Sequence, residues 1–66
     1  MQIILNGHSK QAFDGTTVAA LLDELALAGK RLAVEVNEDV IPRSQHADHR
    51  LHDGDRVEIV HAIGGG

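Results

Sequence analysis

A small α+β domain, with a mixed sheet of about four to five strands and one main helix packed on one face, is the fold class that this 66-residue sequence predicts. Three observations lead there. Apolar runs with a period of two sit near both ends of the chain, one apolar stripe with helical spacing lies between them, and clusters of Asn, Gly and Asp punctuate the joins.

At the N-terminus, MQIILNG alternates Ile3 and Leu5 against Gln2, Ile4 and Asn6, the period of a strand with one favoured apolar face. Asn6-Gly7 supplies the positive φ angles of a tight hairpin, so the chain is expected to return from His8 to Phe13 as a second strand. Asp14-Gly15-Thr16-Thr17 interrupts that strand and offers capping oxygens, with Thr16 as the expected N-cap. Val18, Leu21, Leu22 and Leu25 then recur at i, i+3, i+4 and i+7, predicting an amphipathic helix of about three turns with Asp23 and Glu24 off the stripe. Gly29 is expected to close it, with Lys30 and Arg31 near the negative end of its dipole.

Leu32, Val34 and Val36 alternate with Ala33, Glu35 and Asn37, giving a third strand, and Asn37-Glu38-Asp39 is expected to turn the chain into a short strand at Val40-Ile41. Pro42 has no N–H to give a ladder and stops that piece. From Arg43 to Arg50 the pattern suggests irregular or single-turn structure. Asp53-Gly54-Asp55 reads as turn chemistry rather than as paired catalytic acids, and Arg56 to Ala62 as the last strand, with Val57 and Ile59 in one phase and Glu58, Val60 and Ala62 in the other. The order strand, strand, helix, strand, short strand, strand is that of a β-grasp, the ubiquitin-like architecture. A right-handed crossover is expected to make the strands joined by the helix parallel neighbours, or nearly so.

Composition narrows the function. A chain this short is expected to form one domain, residues 1–66, with a thin core; Phe13 is its one aromatic residue, and its apolar content is mostly Val, Ile, Leu and Ala. A substrate cleft of roughly 300 Å³ or more is hard to enclose with so little material, which favours a carrier or partner over an enzyme. The absence of cysteine excludes disulfides and a side-chain thiolate nucleophile. The formal charge of -4, with scattered Lys and Arg, argues against nucleic acid and for a basic partner surface. No apolar stretch approaches the roughly 20 residues of a membrane span, so no membrane association is expected and the cytoplasm is the expected location.

The last residues read HAIGGG, a strand-like run that gives way to three glycines. The β-grasp order together with VEVNEDVIPR from Val34 to Arg43 and DGDRVEIVHAIGGG to Gly66 resembles the ThiS family, the ubiquitin-like sulfur carriers of thiamin biosynthesis. The resemblance implies that the C-terminal carboxylate of Gly66 is adenylated with ATP, then converted to a thiocarboxylate that donates sulfur for thiazole formation. It also implies two partners, a ThiF-like adenylyltransferase and a ThiG-like thiazole synthase, with no cofactor bound by the carrier itself. Physical chemistry agrees: a free C-terminal carboxylate, with a reference pKa of roughly 3.3–3.7, is an anion at neutral pH and resists nucleophiles until activated. Gly65 and Gly64, lacking Cβ atoms, suit a tail, residues 62–66, that threads a narrow channel. Val60 and Ile63, rimmed by Glu58, are the expected docking anchors.

Other readings compete. The small subunit of molybdopterin synthase, MoaD, shares the fold, tail and thiocarboxylate, and a ubiquitin-like modifier forming isopeptide bonds is a further alternative. A small metal-binding or interaction domain would use His46, His49 and His52, whose spacing of three places them on one side of a helical turn. An idle glycine linker is the plainest alternative for the tail.

Overall fold

The computed structural model describes residues 1–61. Strand β1 (Gln2–Leu5) pairs antiparallel with β2 (His8–Gln11). Asn6 (φ 47°) and Gly7 (φ 84°) both take the left-handed conformation that a two-residue hairpin matched to strand twist requires. Pairing continues one step beyond the strands: Ala12 N–H donates to Met1 O at 2.9 Å, and the Met1 ammonium donates to Ala12 O at 2.9 Å. The expected run to Phe13 stops short. The Phe13 carbonyl instead accepts from the Thr16 amide (3.1 Å) and the Thr16 hydroxyl (2.7 Å), and its ring is left 86% exposed.

That use of Thr16 moves the helix cap by one residue. Helix α1 spans Val18–Glu24, and Thr17, with extended backbone, accepts from Ala20 N–H at 3.1 Å through Oγ1. The helix has seven residues, about two turns rather than three, and Gly29 does not close it. Ala26 does, at φ 60°: its N–H donates to Asp23 O (3.1 Å) while Leu27 N–H donates to Leu22 O (2.8 Å), the paired bonds of a Schellman cap with alanine where glycine is usual. Lys30 and Arg31 therefore lie beyond the helix, in the loop leading to β3.

Strand β3 (Leu32–Val36) turns through Asn37 and Glu38, both at positive φ, into β4 (Asp39–Ile41). One 3₁₀ turn (Arg43–Gln45) follows Pro42, and β5 (Arg56–His61) completes the sheet. The strand order is β2-β1-β5-β3-β4, a five-stranded mixed sheet, with β5 parallel to β1 and antiparallel to β3. The two strands joined by the helix, β2 and β3, are thus not neighbours. The last strand inserts between the two hairpins, and β1–β5 is the parallel pair.

The α1 stripe lands on this sheet: Ile3, Val18, Leu21, Val34 and Val57 are wholly enclosed, with Leu22, Val36, Ile41, Leu51 and Ile59 around them. Each such side chain stabilises the fold by roughly 1.5–3 kcal/mol relative to exposure. His46 is the buried polar exception; its Nε2–H donates to Ile41 O at 2.9 Å and its carbonyl accepts from Ala19 N–H at 2.9 Å, tying the 3₁₀ turn to β4 and to α1. No helix among the described residues is long and apolar enough to cross a membrane.

Candidate functional site

Strand alternation divides β5 between two faces. Val57 and Ile59 enter the core, whereas Arg56, Glu58 and Val60 point away from α1. On that open face Val60 lies opposite Ala33, Glu58 opposite Glu35, and Val40 opposite Glu35 on the far side. Ile4, in parallel register with Arg56, adds a further apolar surface. Val40 (65% exposed), Val60 (53%) and Ile4 (36%) therefore form discontinuous apolar points among charges, and a hollow of about 410 Å³ is lined by Ile4, Gly7, Arg56 and Glu58. The strand phase expected for Val60 and Glu58 is observed: both sit on the open face of β5.

Glu35 and Glu58 face each other directly, and neither forms an ion pair among the described residues. Like charges opposed across a ladder cost stability. A cation brought by a partner would relieve that repulsion, so the geometry suits a basic surface.

Two asparagines hold β5. Asn6, where β1 has already turned away, extends the ladder with its side chain: Oδ1 accepts from Ile59 N–H at 2.7 Å and Nδ2 donates to Ile59 O at 3.3 Å. Asn37, at the other hairpin, accepts from Arg56 N–H at 3.0 Å through Oδ1, donates its own N–H to Arg56 O at 2.8 Å, and donates Nδ2–H to Asp55 at 3.0 Å. The sequence pattern places each at the end of a strand and in the turn that follows it. Their position beside a positive-φ residue was the visible signal; the strand that they grip was not.

Asp53 and Asp55 are occupied structurally. Asp53 accepts from Gln2 N–H at 2.8 Å, and Asp55 accepts from His52 N–H at 2.8 Å in addition to Asn37. The Asp55–His52 bond is the expected turn chemistry, while the bonds to Gln2 and Asn37 tie this turn to β1 and to the β3–β4 hairpin. The histidine cluster, by contrast, does not assemble. His46 is buried with its Nε2 engaged by Ile41, while the 81% exposed His52 ring has its Nδ1 3.9 Å from Asp55. The segment is a single 3₁₀ turn followed by irregular chain, so a spacing of three does not stack these rings, and among the described residues no three His, Asp or Glu side chains form a metal-holding group. The tail residues Gly64, Gly65 and Gly66, the anchor Ile63 and the expected strand end Ala62 lie outside the described residues.

Comparison with known proteins agrees with this architecture. The family model described as the ThiS family matches residues 3–66. The chain is 36% identical to the sulfur carrier protein ThiS of Escherichia coli over the full length of both. It is 41% identical to a thiazole synthase of Paramagnetospirillum magneticum, where all 66 residues of this chain span about a fifth (20%) of that protein. Among solved structures, the thiamine biosynthesis protein (ThiS) of Geobacter metallireducens superposes with a TM-score of 0.87 at 30% identity, covering all of both chains.

Proposed function

This chain belongs to the ThiS family, and from that premise we propose that it is a sulfur carrier of thiamin biosynthesis, a protein substrate and donor rather than an enzyme. In this reading the Gly66 carboxylate attacks the α-phosphorus of ATP on a ThiF-like adenylyltransferase, forming an acyl-adenylate and releasing pyrophosphate. A sulfide-level nucleophile, HS⁻ in the simplest case, then adds to the acyl carbon and AMP leaves with loss of the S–H proton, so the main chain ends in a thiocarboxylate. The activation step replaces a stabilised oxyanion by a good leaving group, which is why ATP enters with the partner and no cofactor is assigned to the carrier. Gly65 and Gly64 give the backbone the close approach that such a narrow site demands. A ThiG-like thiazole synthase takes the sulfur, and the cytoplasm is the proposed location.

The observation that carries the reading is the end-to-end similarity to a protein named as a sulfur carrier, on a fold that superposes over the whole of a solved ThiS chain. The synthase as acceptor is supported by the thiazole synthases of Paramagnetospirillum magneticum and Magnetococcus marinus, in each of which a 66-residue stretch resembles this whole chain. These matches favour the thiamin branch over the molybdopterin-synthase small subunit. Val60 and Glu58, with Ile63 beyond, are the proposed docking residues, and the opposed Glu35–Glu58 pair supports a basic partner surface. Incubation with ATP, the cognate adenylyltransferase and a sulfur source should give, by intact mass, an adenylate and then a species with one oxygen exchanged for sulfur. Formation of neither, or formation of both after deletion of Gly66, rejects the proposal.

A further inference from the structure

The opposite side of the sheet carries a second surface. Where α1 ends at its alanine cap, the loop to β3 and the 3₁₀ turn line an open cavity of about 290 Å³ with apolar walls from Leu22, Leu27 and Leu32 and a buried imidazole, His46, against it. Its remaining lining includes Lys30, Arg43 and the exposed Ala47, with Asp23 on the helix side. In a chain of net charge -4, two cations at one cavity are a local reversal, and neither forms an ion pair among the described residues. Arg43 is nevertheless held in place: one guanidinium nitrogen donates to Lys30 O at 3.0 Å, bridging the 3₁₀ turn to the loop, and its other N–H groups remain available to an incoming carboxylate.

The cavity also sits beside the strand that matters. Leu32 is the register partner of His61 at the end of β5, and alternation from Val57 and Ile59 places both Leu32 and His61 on the helix side of the sheet. His61, the last described residue, therefore lies beside the Leu32 wall of the cavity.

Building on the carrier reading, we propose that this cavity is a second docking point, which receives an acidic residue with an adjoining apolar side chain from the thiazole synthase. The carboxylate meets Lys30 and Arg43 while the apolar group enters between Leu22 and Leu32. Together with the open face, the synthase would then grip β5 and β3 from both sides. Charge complementarity selects an acidic segment here, as the opposed glutamates select a basic one on the other face. The synthase is the partner chosen because in two relatives a stretch like this chain belongs to the synthase polypeptide itself.

The test measures affinity of the full chain for its cognate thiazole synthase at low and high salt. Ala47→Phe plugs the cavity from an exposed position, Lys30→Glu reverses the rim, and Val60→Asp perturbs the opposite face; thermal melts establish that each variant is folded. Ala47→Phe should weaken binding about tenfold or more, and Lys30→Glu should both weaken it and flatten its salt dependence. If both bind within about twofold of the parent while Val60→Asp does not, or if only binding to the adenylyltransferase is lost, the cavity proposal is wrong. The carrier reading survives that result, because it fails only if the parent chain acquires no thiocarboxylate.

Discussion

Replacing Asn6 by alanine and by glycine separates two things that one residue does for β5. The side chain makes two hydrogen bonds to the partly buried Ile59 backbone, and the main chain holds φ at 47°. Each bond contributes about 1 kcal/mol net, and a non-glycine residue without a local side-chain partner costs about 1–2 kcal/mol in the left-handed region. Asn6→Gly removes the bonds but relieves the backbone, so about 2 kcal/mol should be lost; Asn6→Ala loses the bonds and adds strain, for about 3–4 kcal/mol. A domain of 66 residues has only about 3–10 kcal/mol in total, so urea titration at constant slope resolves both values readily. Hydrogen exchange should localise the change, with the Ile59 amide losing protection before Val57. Losses below about 0.5 kcal/mol in both variants would refute the account of Asn6 as a surrogate strand residue.

Two further outcomes follow from the helix ends. Ala26→Gly should stabilise the domain by about 0.5–1 kcal/mol, because the Schellman cap already holds this position at positive φ; a lower thermal midpoint would contradict the assignment. Thr17→Ala should cost about 1 kcal/mol through loss of the Ala20 cap, measured by denaturant midpoint, and Thr17→Ser should recover most of it.

Features written in neighbouring residues were legible, and features written across the chain were not. Asn6-Gly7 next to an alternating run contains its own hairpin, and Val18, Leu21 and Leu22 contain their own buried stripe. The helix end escaped because the left-handed residue is Ala26, which has no compositional mark, while Gly29, which has one, also takes positive φ (81°) three residues later, in the loop. Strand order escaped for a different reason: Ile4 and Leu5 pair with Arg56 and Val57 through long-range geometry that no local period encodes. The open-face residues Val60 and Glu58 were readable from phase alone. The cavity at Lys30 and Arg43 was not, since it depends on where the helix stops and how the 3₁₀ turn folds back.

The central place of β5 bears on how such a protein is made. A ribosome-bound chain that has released only the first fifty-odd residues possesses two hairpins that share no strand, because the strand that joins them is still inside the exit tunnel. Pairing of the two hairpins must wait for β5. Products that lack β5 forfeit the one strand that pairs with both hairpins, so the sheet of five strands cannot close in them.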